Sequence, residues 1–160
     1  MKKIFVSTLT ALLLLIVLAS TVFAAPNASG QQLLLKGSLQ TSETQEAFFP
    51  DLFVNATGSG NATQLGLFTI SSNAKVYIPR LSSTTFAILT AADGSTLLGE
   101  GNGQGTVTIP PFIVSIVETY TITGGTGRFV GASGSFTVER TLDRSTGVSS
   151  GTIAGTILLP

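Results

Sequence analysis

The stretch Phe112-Ile113-Val114-Ser115-Ile116-Val117-Glu118-Thr119-Tyr120-Thr121-Ile122-Thr123, followed by Gly124-Gly125-Thr126-Gly127, decides how this chain folds. Val, Ile, Thr, Tyr and Phe suit a pleated, half-buried surface. Ile116, Glu118, Tyr120 and Ile122 recur at every second position, which is the period of a strand and not of a helix. The glycine-rich run then turns the chain back into a return strand predicted over Arg128 to Leu142, where Gly131 and Gly134 predict a bulge or bend. Just upstream, Pro110-Pro111 has no N–H to donate and must interrupt pairing. Downstream, Asp143 to Gly147 reads as another turn and Val148 to Leu159 as the closing strand.

The same alphabet extends toward the N-terminus. Asp93-Gly94, between Thr85–Thr90 and Ser95–Gly99, predicts a β-hairpin, because this pair tolerates a tight turn. Further strands are predicted over Gln32–Thr41, Leu52–Gly58 and Thr63–Ser71, with Glu43–Asp51 as a connection and Gly58-Ser59-Gly60-Asn61 as a turn. Lys75–Ile78 either extends the third of these after a bulge or begins another strand. Beyond the first two dozen residues no stretch has a helical period. Several strands separated by turn signals describe an all-β domain, a sandwich or a barrel.

The N-terminus reads differently. Lys2 and Lys3 precede an apolar run from Ile4 to about Leu18, then small residues up to Ala24 and Ala25. These are the parts of a secretory signal peptide, and the run is short against the roughly 20 residues of a membrane span. Cleavage is expected after Ala24, giving a signal peptide at residues 1–24, a short linker at 25–31 and the β domain at 32–160. The expected location is secreted or otherwise extracytoplasmic, with no membrane span after cleavage. Once Lys2 and Lys3 are removed with the leader, the chain carries a formal net charge of minus two. So sparse a set of charges argues against nucleic acid as partner, which needs a basic patch. The sequence holds no Cys, no His and no Trp. The fold must therefore stand on its apolar core, without disulfides.

The missing residue types also limit the chemistry. Without His there is no Ser-His-Asp triad and no histidine base. Without Cys there is no thiol nucleophile, and the usual zinc, copper and iron ligand sets are gone. No cofactor is implied. Gly125, Gly127 and Gly131 miss the dinucleotide-binding spacing and precede a strand. Carboxylates, the two tyrosines, arginines and hydroxyls remain. Glu118 shares its strand face with apolar residues and with Tyr120, and Arg140 shares one with Phe136, Val138 and Leu142. If both faces point inward, Glu118, Tyr120 and Arg140 form a buried polar group able to supply an acid or base. The simpler reading inverts the faces at the bulge, leaving Glu118 and Arg140 solvated or in a structural ion pair. Asn27, Asn55 and Asn61 each begin an N-glycosylation acceptor triplet, which matters only in a eukaryotic source.

The segment Val114–Thr137, above all Gly124-Gly125-Thr126-Gly127-Arg128-Phe129 and the glycine-bearing strand after it, resembles the allene oxide cyclase and dirigent-like barrels. Together with Gly58–Gly66 it resembles most a set of small bacterial proteins of that kind, which often carry His at the position of Gln64. The resemblance implies a single antiparallel β-barrel of about eight strands, able to hold a small apolar molecule. It also implies a homo-oligomer, since plant members are often trimers. The cyclase's catalytic residues find no match here, so activity does not transfer. Three functions stand as expectations. The first is a non-catalytic binder of a small apolar molecule or surface partner. The second is a cyclase, isomerase or dirigent-like protein steering a reactive intermediate, with Glu118, Tyr120 and Arg140 as its candidates. The third is an envelope or matrix structural protein with a filled core.

Overall fold

A computed structural model describes residues 30–160. The signal peptide read at residues 1–24, most of the linker and the acceptor Asn27 lie outside the described residues. Eight strands follow one another: β1 Gln31–Phe48, β2 Asp51–Ala62, β3 Gly66–Tyr77, β4 Ser82–Thr90, β5 Thr96–Ile109, β6 Ile113–Gly125, β7 Ser133–Asp143 and β8 Val148–Leu159. Each pairs antiparallel with the next, and β8 pairs back onto β1, from Gln31↔Leu159 to Ser42↔Val148. The result is a closed barrel, which leaves no sheet edge with unpaired backbone groups.

Period-2 alternation sends Leu35 and Leu39 of β1, Phe68 and Ile70 of β3, Leu89 of β4, Tyr120 and Ile122 of β6, Phe136 of β7 and Ile153 and Ile157 of β8 inward. Polar residues, mostly Ser, Thr, Asn and Gln, face out. This core fills the half of the barrel nearest Gln31 and Leu159. Phe129, in a single 3-10 turn at Gly127–Phe129, plugs that end and is 1% exposed. Arg128 beside it reaches Asp93 at 3.0 Å and the carbonyl of Gln64, tying three turns together.

The Asp93-Gly94 hairpin joins β4 to β5 as read, and Asp93 Oδ1 accepts the Ser95 N–H at 3.0 Å. Pro110-Pro111 and Asp143–Gly147 likewise form turns between strands. Several boundaries differ from the sequence reading. β1 continues through the expected connection to Phe48, because its inward residues there, Glu43 and Gln45, are polar and mask the alternation. Gly58-Ser59-Gly60-Asn61 is strand, not turn. Gly58 and Gly60 point inward where no side chain fits: a Cβ at residue 60 would lie 2.7 Å from the Phe68 ring. The turn comes later, at Thr63–Leu65, and Lys75–Tyr77 simply lengthens β3 without a bulge. The return strand begins at Ser133 instead of Arg128. Gly134 is a bend (φ +119°) inside an unbroken β7–β8 register. The register shifts lie instead between β5 and β6, where Thr108 and Thr123 are the extra residues. Because no residue is inserted in β7, the inner face is not inverted between Phe136 and Arg140.

Candidate functional site

The end of the barrel opposite Gln31 and Leu159 is not filled. A cavity of about 220 Å³ opens there, walled by apolar side chains that include Val54, Val76, Ile78, Val114 and Leu142. The turns at this end carry exposed Phe48, Phe49, Ile109 and Phe112. At the cavity floor three charged side chains meet from three strands: Glu43 of β1, Glu118 of β6 and Arg140 of β7. Their side chains are 2%, 7% and 8% exposed.

The register explains the meeting. Glu118 pairs with Val138 and Ile116 with Arg140, so Glu118 and Arg140 are diagonal neighbours on one inner face. Arg140 Nε donates to Glu118 Oε2 at 3.0 Å and Nη2 to Glu118 Oε1 at 3.4 Å. Its Nη1 donates to Glu43 Oε1 and, at 3.1 Å, to Ser149 Oγ. Ser149 in turn shares a 2.7 Å hydrogen bond with Thr41. Glycines on neighbouring strands make the space. Gly151 faces Arg140 across β7–β8, and a Cβ there would lie 2.6 Å from Arg140 Cα. A Cβ at Gly103 would lie 3.0 Å from Glu118 Cγ.

Below the charged group lies an aromatic layer. Tyr120 stacks on Phe136 with ring centroids 4.7 Å apart, and its hydroxyl shares a 3.1 Å hydrogen bond with Thr85. Burial, and then the negative charge of Glu118, push the Tyr120 phenol far above its ordinary range. For Arg140, burial works against the charge, but Glu118 and Glu43 outweigh it and the guanidinium is held more firmly protonated than usual. Glu118 and Arg140 therefore point inward with Tyr120 beneath them; they are neither on an inverted face nor solvated, and they form the ion pair that the simpler reading also allowed.

Glu43, Ser149 and Thr41 were missed. Carrying the alternation of Leu35 and Leu39 forward would have placed Thr41 and Glu43 on the inner face. Asn55 and Asn61 are exposed on the outer face of β2, and Asn55 Oδ1 accepts from Asn73 Nδ2 at 3.3 Å. Among the described residues no group of three or more potential metal ligands occurs, and no helix is long and apolar enough to cross a membrane.

Tyr120 has a measurable signature. Its neutral form is the one the folded state favours, so that contribution is complete below the unfolded phenol pKa of about 10 and is lost as pH rises above it. In a Tyr77→Phe variant, Tyr120 is the sole tyrosine. Phenolate absorbance is expected to rise only together with loss of the sheet signal in circular dichroism. Ionisation near pH 10 in an intact barrel would show that the ring is not sealed.

No protein-family profile matches the chain, and no curated protein matches it. Among solved structures, the chain has the fold of the dirigent proteins. A structure described as a pterocarpan synthase dirigent protein superposes with a TM-score of 0.64 at 14% identity, covering 87% of this chain and 94% of that one. A second pterocarpan synthase dirigent protein gives 0.60 at 15% identity, covering 81% and 96%. At this identity the likeness is one of fold: an all-β, closed, dirigent-like barrel of eight antiparallel strands.

Proposed function

We propose that this protein is an exported barrel that binds one small, mostly apolar molecule in the cavity at its open end. The observation that carries the reading is an apolar-walled cavity with a hydrogen-bonded charged group at its floor, the combination expected of a small-molecule site. Its size suits a compact guest. Apolar cavities of about 150 Å³ take benzene, so about 220 Å³ accommodates one ring with a short substituent. Export is supported by the leader pattern at residues 1–24. Kinship with the allene oxide cyclase barrels, and with small bacterial ones, rests on the Gly124–Phe129 turn and belongs to the same proposal.

A second reading is supported by the fold shared with dirigent proteins: the cavity steers a reactive intermediate by confinement, with Glu118 and Arg140 fixing its orientation. Tyr120 does not line the cavity: it lies beneath the charged group with its hydroxyl on Thr85, so its part in this reading is to support the floor. A purely structural role as an envelope or matrix protein expects a filled core, which the cavity does not support.

Native mass spectrometry of the protein secreted by its own host tests the binding reading. The expected species begins at Ala25 and carries a non-covalent mass that is lost on denaturation. Ala74 lines the cavity from β3, so Ala74→Trp is expected to fill it and to emerge without that mass. A wild-type barrel that emerges empty, and whose NMR spectrum toluene leaves unchanged, would sink the proposal.

A further inference from the structure

We infer that the cavity selects a cationic guest, a compact ammonium carried on an apolar body. The inference rests on the binding reading above and names the chemistry of its ligand. Four lining residues are ionisable: Glu43, Glu118, Arg140 and Arg144. Arg144 sits on the exposed β7–β8 turn at the mouth, where its Nη1 reaches the Pro111 carbonyl at 3.5 Å and its charge is screened by water and salt. The floor holds the other three. Two carboxylates face one guanidinium, so the floor carries a formal net charge of minus one behind apolar walls.

Arg140 is a poor anchor for an anion, because four of its five N–H groups already donate within the cluster. Its Nε and both Nη atoms are already turned to Glu118, Glu43 and Ser149. Any carboxylate or phosphate approaching it would lie against the two glutamates, where like charges in a low dielectric repel strongly. Each glutamate oxygen has lone-pair capacity beyond the bonds it accepts, which an N⁺–H donor can use. An ammonium at the floor compensates the excess charge, and the ring it carries lies against the Val54, Val76 and Val114 walls. A neutral hydroxyl gains the hydrogen bond without the charge compensation.

Three probes of nearly one shape separate these cases: phenylethylammonium, phenylethanol and phenylacetate, titrated into the full-length mature protein at neutral pH and low salt, followed by NMR. The ammonium is expected to bind at least tenfold more tightly than the alcohol, with phenylacetate weakest. Glu43→Gln and Glu118→Gln keep the shape of the side chain and make the floor neutral. Each is expected to shrink the ammonium preference to less than threefold while the alcohol binds as before. Glu139→Gln removes the same charge from the exposed outer face of β7, and its preference is expected to match the wild type. Circular dichroism reports which variants fold. Alcohol and ammonium binding equally, or Glu139→Gln losing the preference as much as Glu118→Gln, would overturn the cation assignment while leaving the binding reading intact. If none of the three binds, the cation assignment falls, and the binding reading falls with it only if the barrel also emerges empty and toluene leaves its spectrum unchanged.

Discussion

Replacing Arg140 with methionine is expected to destabilise the barrel by about 3–5 kcal/mol, the cost of breaking a buried ion pair from one side. Methionine keeps much of the apolar stem, so the loss measures charge more than packing. What remains is Glu43 and Glu118, both almost wholly buried, facing each other without the guanidinium that joined them. Ser149 also loses a hydrogen bond from Nη1. Urea unfolding of wild type and variant gives the number. The triple variant Arg140→Met, Glu43→Gln, Glu118→Gln is the companion experiment. It removes every charge at the floor, and replacing a whole buried ionic group is often near neutral in stability. It is therefore expected to recover most of what Arg140→Met loses. A loss below about 1 kcal/mol for the single variant, the range of exposed ion pairs, would show that the cluster is solvated and not the buried ionic group described above.

Phe136→Ala is expected to cost about 3–5 kcal/mol, the usual range for deleting a buried phenylalanine. Phe136 is 1% exposed and stacked on Tyr120. Its ring occupies space that Gly99 leaves free, and Gly155 lets the neighbouring strand approach its backbone. A Cβ at Gly99 would lie 3.1 Å from the ring, and one at Gly155 would lie 2.5 Å from Phe136 Cα. Those glycines cannot refill the void, so the site collapses poorly and the cost falls toward the upper end. Phe49→Ala is the control. Phe49 is 81% exposed on the β1–β2 turn, and its truncation is expected to change stability by no more than about 0.5 kcal/mol. Similar midpoints for the two variants would mean that Phe136 is not packed in the barrel interior.

Both experiments bear on the division of the barrel into two halves. The half nearest Gln31 and Leu159 is packed with Leu, Ile, Phe and the Tyr120–Phe136 stack. The other half trades packing for a cavity and for a charged group that apolar residues would fill more simply. Folding does not require such a group, since hydrophobic replacements of buried ion pairs are commonly tolerated. Its presence at the floor of an open cavity is why we place the function there.

Strand content, the late hairpins and the alternation of β6 were legible in the residues, because neighbours along one strand report on burial at period 2. So was the inward pairing of Glu118 with Arg140 as one of two arrangements, since both lie on strands joined by a single turn. The ends of β1 and β2 were not legible. Glu43 and Gln45 read as loop because they are polar, and Gly58 and Gly60 read as turn because they are glycine. In each case the interior sets the residue type: polar where the cavity is charged, absent where a neighbouring side chain takes the volume.

By itself, the sequence determined the class of fold, the turns at Asp93-Gly94 and Pro110-Pro111, and the absence of thiol, histidine and common metal chemistry. Only the tertiary structure decided that β8 closes onto β1, that one end stays open, and that Glu43 reaches Arg140 across a sequence separation of 97 residues. Local propensity acts between near neighbours, whereas closure and the composition of the cavity floor depend on the strand register around the whole ring.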